Sequence, residues 1–230
     1  MGEEGILNAL SFSLGSVVIT QSVLTTWLIM MALFLFLWLS ARHLSLLPGN
    51  CQVVLEGIVV AMQDTMKEVL PLTSVDLVFP FIATLWIFIL ISNLIGIIPG
   101  FYSPTADLSV TAALAMVTFF SVHWFGVRAE GWKAYLKHYL KPTPFLLPFH
   151  LISELSRTLA LAIRLFGNVM SLQLTALIVL MIAGFLAPIP ILMLHIIEAV
   201  IQAYIFGMLA LIYIAGGIQS HELKKQGEWS

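Results

Sequence analysis

Charge is scarce in this chain. Asp, Glu, Lys and Arg make up 10% of its 230 residues, against 60% hydrophobic, whereas a soluble domain carries roughly 25% charged residues. That shortage excludes a water-solvated fold and leaves an integral membrane protein. The 10 basic residues are scattered and the formal net charge is −2, so the sequence offers no basic patch to nucleic acid. Cys51 is the single cysteine, which rules out an internal disulfide. The opening Met1, Gly2, Glu3, Glu4, Gly5 has none of the basic residues of a secretory signal, so the first apolar stretch is expected to stay as a helix rather than be cleaved. No lipidation motif stands at either end.

Apolar runs fill the space that charge leaves. A helix crossing roughly 30 Å of hydrocarbon needs about 20 apolar residues, and the sequence predicts such spans over 22–39, 75–98 and 108–125. Arg42 and His43 close the first at headgroup level, and Pro99 and Gly100 close the second. Residues 52–70 differ: Glu56, Gln63 and Lys67 recur at helical spacing opposite Val53, Ile58, Met62 and Met66. That pattern predicts an amphipathic helix lying along the membrane surface. Residues 128–150 are basic and carry Pro142, Pro144 and Pro148, the composition of a cytoplasmic loop with one surface helix near Trp132 to Tyr139. Two last helices, 151–185 and 191–218, flank Pro188 and Pro190; the first is too long to stand upright and should tilt. The expectation is one membrane domain of all-α class: upright spans, one interfacial helix and a long tilted C-terminal hairpin. Arg42, Lys67, Arg128, Lys133, Lys137, Lys141, Lys224 and Lys225 all fall on one side of that topology, which makes it the cytoplasm and puts the N-terminus outside.

Two basic residues escape this sorting. Arg157 and Arg164 lie inside the long helix, and an arginine cannot lose its charge at any cellular pH. A charge at bilayer depth costs roughly 3 kcal/mol on insertion scales and more than about 10 in simulations of a lone helix, so a partner or a function must offset it. At about 100° per residue, Arg157, Arg164 and Ser171 share one face, with Asn168 beside them. Glu154, three residues before Arg157, is expected to pair with it as a structural ion pair, and Gln173 points to the opposite face. In the last helix His195, Glu198 and Gln202 form a second polar stripe, to whose angle Tyr213 returns. Interhelical hydrogen bonding is the plain explanation for Asn168 and Gln202, at about 1 kcal/mol per bond. A carboxyl such as Glu198 in lipid is rare and typical of proton or ion pathways, and an imidazole one turn away titrates near neutrality. Arg164 has no counter-acid on its own stripe, so the missing anion is expected on another chain.

These residues resemble a known family. Ile163, Arg164, Leu165, Phe166, Gly167, Asn168, preceded by Ser153, Glu154, Leu155, Ser156, Arg157, is similar to the arginine motif of subunit a of F-type ATP synthases. Gln202, Ala203, Tyr204, Ile205, Phe206 matches that family's glutamine motif; Pro104, Thr105, Ala106, Asp107, Leu108 matches its loop before a span; Asn93 with Ile97, Ile98, Pro99, Gly100 adds a third segment. The resemblance covers almost the whole chain. It implies a bacterial inner-membrane stator, Arg164 as the essential stator arginine and Gln202 as its neighbour on the next helix. It also implies two water-filled half-channels that load and unload carboxyls of a rotating c-ring, with peripheral-stalk b subunits as further partners and no cofactor or metal. Nucleotide chemistry would occur in a separate soluble head.

The physics suits that role. A guanidinium about 4 Å from a carboxylate gains on the order of 4 kcal/mol at an effective dielectric of 20, enough to favour deprotonation of a passing acid without trapping it. The membrane potential supplies about 2.3 kcal/mol per charge per 100 mV. One position departs from the bacterial pattern, which often has a glutamate nine residues after the arginine: here it is Gln173, while His195 is retained. Glu198 is expected to supply the absent carboxyl, with Asn168 and Gln173 lining the path. Protons are the favoured coupling ion; a sodium-coupled version of the same subunit is the alternative. A secondary transporter is the rival from another class, but the helices show no repeated halves. Haem ligation by His123, His138, His150 and His195 is disfavoured because these histidines do not pair at one depth, and a hydrolase built on Ser153, Ser156 or Ser171 has no nucleophile motif.

Overall fold

The computed structural model describes residues 13–14, 17–18, 20–42, 49–70, 72–98, 101–132, 147–184 and 186–227. A two-residue antiparallel ladder, Ser13–Leu14 with Val17–Val18, precedes the helices. Six long helices follow: α1 Gln21–Arg42, α2 Asn50–Lys67, α3 Leu72–Ile95, α4 Leu108–Glu130, α5 Leu147–Ala183 and α6 Ile189–Gly227. Five of them are long and apolar enough to cross a membrane. The chain is an all-α integral membrane protein.

α2 alone is too polar to cross, and it keeps the two faces its sequence demands. Met66 and, just past the helix, Leu70 are buried against α3 and α6, while Glu56, Asp64 and Lys67 are exposed. Lys67 Nζ and Asp64 Oδ1 meet at 2.7 Å on that wet side, a pair worth little because water and salt screen it.

The core is α3 and α6 crossing, with α4 beside them. Val78, Ile82 and Trp86 of α3 interlock with Ala210, Leu211 and Ile214 of α6 and Val122 and Phe125 of α4. A second cluster joins Ile29 of α1, Leu85 and Ile89 of α3, Leu161 and Leu165 of α5, and Ala203 and Phe206 of α6. Gly207 allows the closest approach: a Cβ there would overlap the Trp86 indole. That indole stacks on Tyr204 at 6.1 Å and its Nε1 donates to the Tyr204 carbonyl at 3.3 Å.

α5 and α6 have 37 and 39 residues, about 55 Å of helix each. The apolar stretches within them, Ile152–Ala183 and Ile189–Ile218, are each longer than an upright crossing needs. α5 begins at Leu147 and α6 continues to Gly227, beyond the 151 and 218 expected from apolarity, because a helix needs no apolar residue once it leaves lipid. Gly131 and Gly184, at φ 81 and 82, end α4 and α5 with a positive φ that glycine adopts without strain. α4 also runs into the stretch expected to be loop, taking in Arg128. Residues 133–146, which hold most of the expected surface helix and the basic loop, lie outside the described residues.

Candidate functional site

Two contacts fix how α5 and α6 face each other. Asn168 Nδ2 donates to Gln202 Oε1 at 3.0 Å, and the Arg157 guanidinium lies over the Tyr213 ring at 4.6 Å. Asn168 is eleven residues after Arg157 and Gln202 eleven before Tyr213, so one antiparallel register satisfies both. In that register Arg164 stands at the depth of Phe206, and Gln173 at the depth of Ile197 and Glu198.

Arg164 is exposed on the outer face of α5, beside exposed Leu159 and Ile163. Among the described residues no carboxylate lies within ion-pair distance of it. Gln202 is buried against Asn168, one turn from Arg164, rather than against the guanidinium itself. The charge therefore looks outward from the chain, across a broad apolar surface formed by both helices.

Polar groups gather on either side of Arg164 along the helix. Toward the α5–α6 turn, Gln173 is nine residues away, about 13.5 Å of rise. Its carboxamide lies against Gly96, where a Cβ would collide with Gln173 Nε2. Beside it His195 Nε2 donates to the Asn93 carbonyl at 3.1 Å. Thr105 Oγ1 donates to Asn93 Oδ1 at 2.6 Å, and Ser103 Oγ reaches Thr105 Oγ1 at 2.6 Å and the Ser92 carbonyl at 2.7 Å. The Pro104–Ala106 turn of 3-10 helix brings Ser103 and Thr105 back onto α3. Ser92 Oγ, Asn93 Nδ2 and Gln202 Nε2 are buried without a hydrogen-bond partner. Such groups cost roughly 1–3 kcal/mol each unless water or a passing ligand satisfies them. Glu198 is half-buried one turn from His195 and bonds to neither His195 nor Gln173.

In the other direction Glu154 is ten residues from Arg164, about 15 Å of rise. The side chains expected to pair within α5 reach different helices. Glu154 Oε2 stands 3.6 Å from His123 Nε2 of α4, whereas Arg157 is exposed and covers Tyr213 of α6. Three residues on a helix leave about 60° between side chains, which is enough to send one to each neighbour. Thr118, Phe119, Glu154, Arg157, Thr158 and Tyr213 line a small cleft between these helices.

Sequence reasoning singled out Arg164, Asn168, Gln173, His195, Glu198 and Gln202, and the structure gathers all of them on the hairpin. It did not find Thr105 as the partner of Asn93, nor Ser103 as the partner of Thr105 and the Ser92 carbonyl, since these bonds depend on how the turn before α4 folds back onto α3. Nor did it join His123 to Glu154, which lie on different helices.

Comparison with known proteins identifies the family. The family description ATP synthase A chain matches residues 23–215. The chain is 75% identical over 229 residues to ATP synthase subunit a of Legionella pneumophila strain Corby, covering 99% of each. It is 59% identical over 214 residues to ATP synthase subunit a 2 of Pelobacter propionicus, covering 93% of each. A Bradyrhizobium ATP synthase subunit a 2 is 40% identical over 220 residues, covering 96% of this chain and 98% of its own length. With its outward-facing arginine held between two polar clusters, this chain belongs to the ATP synthase subunit a family, the membrane-sector subunit.

Proposed function

We propose that the α5–α6 hairpin is the stator face across which ions reach and leave a rotor, with Arg164 as the barrier between two half-channels. The single observation that carries this reading is the position of Arg164: exposed, with no carboxylate within ion-pair distance among the described residues, and flanked along α5 by polar clusters about 13.5 and 15 Å away. An exposed guanidinium at bilayer depth needs an anion from outside the chain. A c-ring carboxyl carried past the hairpin supplies it. The acid loses its ion as it nears Arg164, because the fixed cation favours the carboxylate, and gains another after passing. Direct leak is blocked, since a cation moving along the hairpin meets the guanidinium.

The cluster of Gln173, Asn93 and His195 lies on the outer half-channel, and its unpartnered Ser92 Oγ and Asn93 Nδ2 are the groups a file of water would satisfy. Glu198, at the depth of Gln173 in the α5–α6 register, supplies the carboxyl that Gln173 does not. Asn168 and Gln202 hold the two helices together beside Arg164. The inner half-channel opens toward Glu154 and the basic end of α4. This orientation places the N-terminus outside and the C-terminus in the cytoplasm of a bacterial inner membrane, with b subunits of the peripheral stalk as the remaining neighbours.

Protons are the coupling ion in this reading, because Glu198 and His195 are both titratable and one turn apart. Sodium coupling has Gln173 in its favour, an amide where a relay wants an acid. The two separate cleanly: proton coupling leaves ATP-driven pumping in vesicles independent of sodium and abolished by a protonophore, and sodium coupling gives the reverse. Glu198→Gln is expected to cut proton-driven ATP synthesis by on the order of ten-fold or more; unchanged synthesis rejects the relay. The half-channels are tested in a Cys51→Ser background by thiol labelling of assembled complexes. Gln173→Cys should react with an impermeant reagent from outside and Thr158→Cys from the cytoplasm. Labelling of both from one side contradicts the arrangement.

A further inference from the structure

Ser92 carries a hydroxyl that takes none of the bonds its own helix offers. Thr84, Thr118, Thr158 and Thr175 each donate to the carbonyl four residues back, the ordinary refuge of a hydroxyl in an apolar helix. Ser92 is fully buried on α3, yet its Oγ has no hydrogen-bond partner among the described residues. The same holds for Nδ2 of the fully buried Asn93 and for Nε2 of Gln202, which is 2% exposed. Two amide donors and a hydroxyl left bare in this way call for a small ligand that both accepts and donates.

Packing brings Ser92 and Gln202 to one depth. Trp86 bonds the Tyr204 carbonyl and His195 bonds the Asn93 carbonyl, so α3 and α6 run antiparallel, and α3 therefore runs in the same sense as α5. Ile89, Leu165 and Ala203 meet in the second core cluster. Ser92 follows Ile89 by three residues, Asn168 follows Leu165 by three, and Gln202 precedes Ala203 by one. All three thus step off that cluster toward Asn93 and His195, into a single layer where Asn168 already donates to Gln202 Oε1. On α6, buried Ala199 shares a face with His195 and Gln202, and its methyl group leaves room that a longer side chain would fill. Inward of the layer stand Ile89, Leu165 and Phe206, all but inaccessible and with no side-chain group that water could bond.

We propose that Ser92 and Gln202 hold the innermost water of the outer half-channel, between α3, α5 and α6, and that Ile89, Leu165 and Phe206 form the dry floor beneath it. This water accepts from Gln202 Nε2 and donates to Ser92 Oγ, and a second water meets Asn93 Nδ2 on the side of His195. The proposal rests on the half-channel reading and deepens it, giving the outer path a route through the interior of the chain rather than along the face of α5. That route ends beside the Asn168–Gln202 bond, one turn from Arg164. The apolar floor stops it there, so an ion leaves sideways toward the rotor.

A density map of the assembled parent complex tests the site directly. It should show an ordered water within hydrogen-bond distance of both Ser92 Oγ and Gln202 Nε2; a direct Ser92–Gln202 bond, or a Ser92 hydroxyl turned onto its own helix with no such water, overturns the proposal. Passive ion conductance of the membrane sector in vesicles tests the route. Ser92→Ala should lower it by on the order of ten-fold. In a Cys51→Ser background, silver ion added at the outer face should block conductance through Ser92→Cys and leave that through Leu165→Cys unaffected. A Ser92→Cys complex insensitive to silver overturns the water site, and block of Leu165→Cys overturns the floor. Should a variant fail to assemble, the map of the parent complex decides. If Gln173→Cys reacts from outside while Ser92→Cys is insensitive, the interior route fails and the half-channel reading stands. If Arg164→Ala leaves coupled transport at the parental level, the half-channel reading itself fails.

Discussion

Asp107 joins α1 and α4 through one carboxylate. It caps α4 by accepting the Ser109 amide at 2.9 Å and the Ser109 hydroxyl at 2.7 Å, and the Ser22 hydroxyl of α1 also donates to it. Partial burial pushes the Asp107 carboxyl up, but these donors together outweigh burial and hold it below its ordinary value of 3.8. The sign of the linkage follows. A carboxyl whose value is depressed on folding stabilises the fold above its unfolded value, and that stabilisation disappears as pH falls through the lower folded value. Detergent-solubilised complex should therefore lose α1–α4 anchoring on strong acidification, read as proteolysis in the segment before α1. Asp107→Asn, which keeps an acceptor without the charge, should remove this acid dependence. Asp107→Ala should instead cost about 1 kcal/mol at every pH through loss of the cap. An acid response identical in Asp107→Asn and the parent would contradict the assignment.

α3 and α6 cross where a glycine meets a tryptophan, the closest approach at any of the described glycines. Gly207→Ala puts a methyl group into the Trp86 indole, and overpacking of this kind costs typically 1–3 kcal/mol. The yield of assembled complex should fall and its melting temperature with it; Trp86→Phe in the same chain should recover part of the loss by giving up the indole nitrogen and ring. Recovery would not occur if the effect of Gly207→Ala came from helix propensity. The spans themselves were legible in the sequence because lipid imposes one rule on every residue of a helix it surrounds. The starts of α5 and the end of α6 were not, since polar residues outside lipid continue a helix without any apolar signal. Glu154 shows the same limit on the side-chain level. Spacing offered Arg157 as its partner, but the choice between a neighbour on the same helix and His123 on another depends on how α4 packs, which no spacing encodes. Arg164 stood out for the opposite reason: an unneutralised charge in a hydrophobic run calls for an anion from elsewhere, which is the premise of the stator proposal.

As a whole the chain is an incomplete surface. α5 and α6 expose Leu159, Ile163, Leu177, Met181, Met193, Ile197 and Ile201 to their surroundings, a face far larger than a water-soluble protein leaves uncovered. Lipid covers such a face without difficulty, but lipid does not satisfy Arg164. A rotor of apolar helices, each bearing one carboxyl at the depth of the arginine, satisfies both requirements at once. Cysteines placed at Leu159 and Ile163, in a Cys51→Ser background, should accordingly form disulfide cross-links to cysteines on the outer helix of the c-ring, and cysteines at Ile82 or Val78 inside the α3–α6 core should not. The opposite pattern would turn the hairpin away from the rotor.

The charge of Arg164 is the feature on which the account turns. In assembled complex in sealed vesicles, Arg164→Ala should abolish ATP synthesis driven by an imposed ion gradient, with the complex present at parental levels and its soluble head still hydrolysing ATP. Synthesis at the parental rate in that same preparation would contradict the account.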